Sequence, residues 1–268
     1  MREMRFAGKL YPADKAKAEE ALAQFEALAQ PPGITARVPA IISPHSAWDV
    51  CGTTIATAFK ALKHKPPEIV VIVSPTHESQ EGIGLSLEDW ETPLGIARTD
   101  AKSARALLEH SDFLQVNEEL NKMEQGNEVI LPFVQHFLPE ASVVNIVLGL
   151  QSLEVAKDIA GAVFAAEKAL KKPFALVASS DLSHFEDVEK AREKDMKLLE
   201  PVKRLNARSF LKRIHQLEAT PCAPAAISAA VEFARLKHAK KGKLLQFTNS
   251  PLSPDDPRVT DYAAIAFA

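Results

Sequence analysis

Val38-Pro-Ala-Ile-Ile-Ser-Pro-His45 is a short apolar run that stops at Ser43-Pro44 and is followed at once by a histidine. The same design returns as Glu68-Ile-Val-Val-Ile-Val-Ser-Pro-Thr-His77. A third run, Phe174-Ala-Leu-Val-Ala-Ser-Ser180, delivers Asp181 and His184. Short apolar runs closed by turn-forming residues read as buried strands. Between them lie helical stretches, such as the stripe Ile55, Ala58, Phe59, Leu62. Strands alternating with helices specify an α/β fold, a largely parallel or mixed central sheet with helices on both faces. In such a sheet, groups just past the carboxyl ends of the strands converge on one crevice. His45, His77, Asp181 and His184 are therefore expected in a single place.

The rest of the chain fits this frame. Asp14 reads as the N-cap of a helix over about 15–29, and Asp100 and Ser152 cap two more. Gly82 to Gly95 alternates apolar and polar residues and predicts a strand or hairpin. Asn127 is expected to start a helix that Pro132 kinks or splits. Ser142 to Leu148 reads as a buried strand, and helices are expected over about 187–199, 207–217 and 224–237. Two strands near 244–247 and 262–267 close the pattern, with a proline-containing loop, Ser250 to Pro257, between them.

Composition narrows the function classes. The 268 residues are 46% hydrophobic and 25% charged, as in a soluble globular protein. A net charge of -3 gives no footprint for nucleic acid or an anionic membrane, so neither is expected as a partner. No apolar run approaches the roughly 20 residues of a membrane span. The first residues lack the apolar stretch of a signal peptide. Two cysteines, Cys51 and Cys222, argue against a disulfide framework and suit a reducing, cytoplasmic location.

Two histidines in matching contexts point to metal ligation by neutral imidazole. A redox iron site typically uses two histidines and a carboxylate, and a catalytic zinc site uses three protein ligands with one open position. Asp181, His184 and Cys222 are each candidates for the third place. Cys222 precedes a predicted helix, whose N-terminus would favour a low-pKa thiolate. Asp181 is expected either to do acid/base work or to accept a hydrogen bond from a ligand histidine. His184 is the other acid/base candidate.

The motifs together resemble the Memo family, also called AmmeMemoRadiSam system protein B. The resemblance runs from Ala7-Gly8-Lys9-Leu10-Tyr11-Pro12 through Pro44-His45, Ser74-Pro75-Thr76-His77, Glu124 to Pro132, Ser180-Asp181-Leu182-Ser183-His184 and Thr220-Pro221-Cys222 to Asp261-Tyr262-Ala263-Ala264. It implies a single domain over 1–268 with a fold similar to class III extradiol dioxygenases (LigB-like). It implies that His45, His77 and Cys222 are the metal ligands and that Asp181 and His184 are the catalytic polar residues beside them. Iron is the first expectation for the metal, with copper or zinc as alternatives.

Three departures stand out. Pro-His-Ala-Gly-Tyr of the family is here Pro44-His45-Ser46-Ala47-Trp48, which is expected to reshape the pocket wall. Glu-His-Ser-x-Glu is Glu124-Gln125-Gly126-Asn127-Glu128, so a titratable histidine is replaced by Gln125. The glycine after the cysteine is Ala223.

The resemblance implies a metal-dependent oxidoreductase or a divergent relative of one. The alternatives are a non-catalytic adaptor that binds a peptide or small molecule in the same cleft, and a metal-dependent hydrolase. An AMMECR-type protein and a radical-SAM enzyme are the expected partners.

Overall fold

The computed structural model describes residues 1–77, 82–251 and 258–268. Helix α1 (Lys15–Leu28) starts at Asp14, which accepts from the Lys17 N–H at 3.0 Å. Strand β1 (Ala40–Ser43) leads into α2 (Trp48–Lys60), and β2 (Ile69–Pro75) follows. Strands β3 (Ile83–Leu85), β4 (Trp90–Thr92) and β5 (Gly95–Ala97) precede α3 (Ala101–Glu109) and β6 (Gln115–Val116). Three short helices come next: α4 (Glu118–Lys122), α5 (Gln125–Glu128) and α6 (Leu131–Phe137). Strand β7 (Ser142–Leu148), α7 (Leu153–Leu170), β8 (Phe174–Ser179) and β9 (Glu186–Asp187) continue the chain. Helices α8 (Val188–Lys203), α9 (Ala207–Leu217) and α10 (Pro224–Leu236) are followed by β10 (Gly242–Asn249), β11 (Arg258–Val259) and β12 (Asp261–Phe267).

Among the described residues, eight strands form one mixed sheet in the order β10-β12-β1-β8-β2-β7-β3-β6. The central four, β1, β8, β2 and β7, are mutually parallel. Strand β12 runs antiparallel to both β1 and β10, and β3 runs antiparallel to β7. The fold is thus the expected α/β sandwich with a mixed sheet.

Buried on both faces, the central strands are apolar at nearly every position, Asn145 of β7 being a buried polar exception, which is why they read as near-continuous runs. Alternate side chains still go to opposite layers. Ile69, Val71 and Val73 meet the layer built on α7 and α10, while Val70 and Ile72 meet the layer built on α2 and α6.

Local differences from the sequence reading have simple causes. The helix expected from Asn127 is split into α5 and α6, with Pro132 in the first turn of α6, where a missing N–H breaks no bond. Between Gly82 and Gly95 only the later part forms a hairpin, β4 with β5. The earlier part, β3, adds to the main sheet through β7. Helix α8 continues through Pro201 to Lys203. Most of the expected loop from Ser250 to Pro257 lies outside the described residues.

The N-terminal segment is tied to the short helices by a buried ion pair. Glu128 meets the Arg2 guanidinium and also accepts from Arg5 N, Phe6 N and the Tyr11 hydroxyl, at 3.0, 2.8 and 2.5 Å. Arg2 lies over the Trp90 ring, 4.2 Å from its centre, and donates to the carbonyls of Lys122 and Glu124. Removing one partner of a buried pair strands the other charge. Glu128→Ala is therefore expected to destabilise the protein by about 3–5 kcal/mol, read from the midpoint of urea unfolding.

Candidate metal centre

Strands β1 and β2, separated in the sheet by β8, carry His45 and His77 just beyond their carboxyl ends. Strand β8 ends between them at Ser179, opposite Ser43 of β1. Cys222 arrives from the other direction, two residues before α10. One ligand atom from each of His45, His77 and Cys222 lies within 4.8 Å of the others.

The hydrogen bonds fix how the rings present their nitrogens. Ser179 donates its single hydroxyl proton to the Gly126 carbonyl at 2.8 Å. It can then only accept from His45 Nδ1, also at 2.8 Å, so His45 carries its proton on Nδ1. Glu124 accepts from His77 Nδ1 at 2.7 Å and from His77 N at 3.0 Å. Both rings therefore turn Nε2 toward the same spot, and the two atoms stand 3.2 Å apart. Two lone pairs at that separation repel unless a cation lies between them.

Its surroundings decide which cation the site favours. Burial pulls the His45 pKa down. Burial also opposes the His77 charge, but the Glu124 hydrogen bond and charge outweigh it and raise His77. Glu124 itself is lowered: burial opposes this, and the His77 bond and charge prevail. Of the two imidazoles, His77 is thus the one that takes a proton more readily.

A metal ion fits the same place. Tetrahedral binding at about 2.0–2.1 Å to nitrogen and about 2.3 Å to sulfur separates N and N by roughly 3.3 Å and N and S by roughly 3.6 Å. The observed His45 Nε2 separations are 3.2 Å to His77 Nε2 and 3.4 Å to Cys222 Sγ.

The Cys222 thiol differs from the sequence expectation. Burial, then the Asp181 charge, raises its pKa, although the Asp181 N–H at 3.1 Å and Ser180 oppose the shift. At the start of α10, Gln151 takes the Ala225 N–H at 2.8 Å. Cys222 is a thiol until something displaces its proton.

Asp181 also differs from the expectation that it accepts from a ligand imidazole. Its carboxylate accepts from His45 N at 2.9 Å and from Ser46 Oγ at 2.7 Å. It fixes the backbone under His45, while Ser179 and Glu124 hold the rings. Neither of those two was singled out from the sequence. Glu124 was inside a quoted motif, and Ser179 lay at the end of an apolar run, but nothing in their spacing showed which way they face.

His184 places its Nδ1 2.9 Å from the Thr220 carbonyl, which can only accept, so Nε2 is its basic nitrogen. Trp48 does not line the pocket. It is buried against Tyr11, Phe25 and Phe133 and donates to the Val129 carbonyl at 2.9 Å. Gly126 has no room for a side chain: a Cβ there would stand 2.9 Å from the Ser74 Cβ and 3.2 Å from His45 Nδ1.

A family model described as Memo-like protein matches residues 2–266. The chain belongs to the Memo family. A MEMO1 family protein of Nitrosopumilus maritimus is 30% identical over 272 residues, covering 97% of each chain. One from Thermococcus kodakarensis is 28% identical over 286 residues, again covering 97% of each. The crystal structure of an uncharacterized Escherichia coli K12 protein matches with a TM-score of 0.50 at 14% identity, covering 85% of this chain and 99% of that one. That likeness concerns the fold. Among the described residues of this Memo-family chain, no helix is long and apolar enough to cross a membrane.

Metal must displace the Cys222 proton and compete with protons for His77, so affinity is expected to rise with pH and binding to release protons. Calorimetry with Zn2+ in buffers of different ionisation enthalpy measures that release. His45→Ala and His77→Ala are expected to abolish stoichiometric binding. Glu124→Gln is expected to weaken it by about 10–100-fold while the fold is kept.

Proposed function

We propose that this protein is a mononuclear metal enzyme of the oxidoreductase type, with His45, His77 and Cys222 as ligands. The observation that supports this most directly is the pair of inward-facing Nε2 atoms with a thiol beside them. Two imidazoles and a thiolate favour iron, copper or zinc over magnesium. Bound there, iron or copper would supply one-electron chemistry and a place for oxygen or substrate.

The chain's own residues do the remaining work. Glu124 and Ser179 hold the two rings in one tautomer. Asp181 fixes the backbone under His45 and the Cys222 sulfur through its N–H. His184, with Nδ1 committed to Thr220, offers Nε2 to take a proton from substrate. Gln125, where the family pattern has a histidine, cannot share that role. The proposed partners, an AMMECR-type protein and a radical-SAM enzyme, would supply or consume the substrate.

A second reading has one observation in its favour. Phe185, next to His184, is 70% exposed and held at φ 55, a conformation that a bulky residue adopts only under constraint. An aromatic ring presented in this way suits a non-catalytic cleft that binds a peptide.

Oxygen uptake by ferrous-loaded protein, screened over small phenolic and thiol compounds, separates the two. On the enzyme reading, His184→Ala keeps stoichiometric iron and loses turnover by at least about 100-fold. Turnover that survives this change would remove His184 from the mechanism. Peptide binding lost in Phe185→Ala, with no oxygen uptake by the wild type, would favour the binding cleft.

A further inference from the structure

Asp261, from the family motif in the last strand, has no role in the site described above. Asp261 is nonetheless buried, and so is Asp195 of α8. Both residues bracket Ser183, Asp195 through its carboxylate and Asp261 through its backbone, and each carboxyl group acts on the charge of the other. Among the described residues, no N–H or O–H group of another residue reaches either Asp261 oxygen. A buried carboxylate without a donor, beside a second carboxylate, is relieved when one of the two carries a carboxylic acid proton.

The partners decide where it sits. Asp195 accepts from Ser183 N at 3.0 Å and from Ser183 Oγ at 2.9 Å, which stabilises its anion. Asp261 has no such donors and keeps the proton. Burial, then the Asp195 charge, pushes Asp261 up to about 8.

The pair lies directly beneath residues 180–184. Leu182 N donates to the Asp261 carbonyl at 2.9 Å, and Asp261 N donates to the Ser183 carbonyl at 2.9 Å. Ser183 is thus gripped from one side by Asp195 and from the other by the backbone of Asp261. The same short segment carries Asp181 and His184.

We propose that Asp195 and Asp261 share one proton and that this proton positions the segment carrying Asp181 and His184. The consequence for those two residues rests on the functional reading above; the proton clamp itself does not.

The charged groups around the pair bound its behaviour. Glu186 of β9 adds negative charge and raises both acids, and its own charge is drawn toward Lys194 of α8. Arg192 of α8 opposes the rise at Asp261. Arg258 of β11 lies over the Phe185 ring, 6.0 Å from its centre. On the segment itself, His184 faces Thr220 and Asp181 faces His45 and Ser46. Strand β10 presents the uncharged Thr248 and Asn249. These two, Asp261 and Arg192 border a cavity of about 60 Å3, through which the proton can exchange with solvent.

The sign follows from linkage. An acid whose folded pKa is raised contributes stability that is complete below its ordinary value and is lost as pH rises through the folded value. If opening the segment frees the pair, opening becomes up to about tenfold easier per pH unit between roughly 4 and 8, then levels off.

The test uses metal-free wild type and Asp261→Asn, whose amide can donate to Asp195 at every pH. Hydrogen-exchange protection of the Leu182, Ser183 and Asp261 amides, corrected for intrinsic rates, is followed from pH 5 to about 9. In the wild type, protection is expected to fall as pH rises and to level off near 8, and in Asp261→Asn it should not change with pH. The His45→Ala variant should behave as the wild type, which separates the clamp from the metal site. Carbon-13 titration of labelled aspartate in the wild type needs no variant, and one carboxyl is expected to titrate near 8. The proposal is overturned if no aspartate titrates above pH 6, if protection is independent of pH, or if Asp261→Asn keeps the wild-type pH response.

Discussion

The register between β1, β8 and β2 is the constraint on which the site depends. Ser43 pairs with Ser179, and Val73 with Ala178, so the three strands end at nearly the same level. A slip of one residue would move a histidine by about 3.3 Å and turn every side chain of that strand to the other layer. The apolar residues on both faces prevent this. Ile41 belongs to one layer and Ala40 and Ile42 to the other. The packing that stabilises the sheet is therefore also what places His45, His77 and the Asp181 segment.

The two histidines are held in different ways, and the difference matters chemically. His45 leans on a hydroxyl and is fully enclosed, so it resists protonation. His77 leans on a carboxylate and reaches toward solvent, so it attracts a proton. An imidazole backed by a carboxylate is also the stronger electron donor to a metal. The centre is electronically lopsided before any ligand arrives. The N-terminal segment takes part at a distance, because Arg2 grips the Glu124 carbonyl while the Glu124 side chain grips His77.

Much of this was legible in the sequence, and the limits have physical reasons. Buried parallel strands are mostly apolar, so β1, β2, β7 and β8 announced themselves, and turn residues marked where His45 and His77 would emerge. Caps at Asp14, Asp100 and Ser152 lie where side-chain chemistry demands. Facing directions were not legible. Glu124 holds His77, and Asp181 holds backbone, because of contacts between segments 47 and 136 residues apart. The Cys222 thiol was misjudged because a helix start was weighed without the burial that outweighs it. Trp48 reads as a pocket residue from its place in the family's Pro-His motif, yet the turn into α2 sends it into the core.

The position of β1 in the sheet has a consequence for biosynthesis. Its two hydrogen-bonding neighbours are β8 and β12, both of which leave the ribosome long after it. Cys222 follows His45 by 177 residues. A growing chain must carry Ala40–Ser43 with both edges unpaired while most of the polypeptide is still being made. Unpaired apolar edges of that kind invite aggregation. Translation speed and the supply of holdase chaperones should therefore govern the yield of this protein more than the strength of any single contact in its finished form.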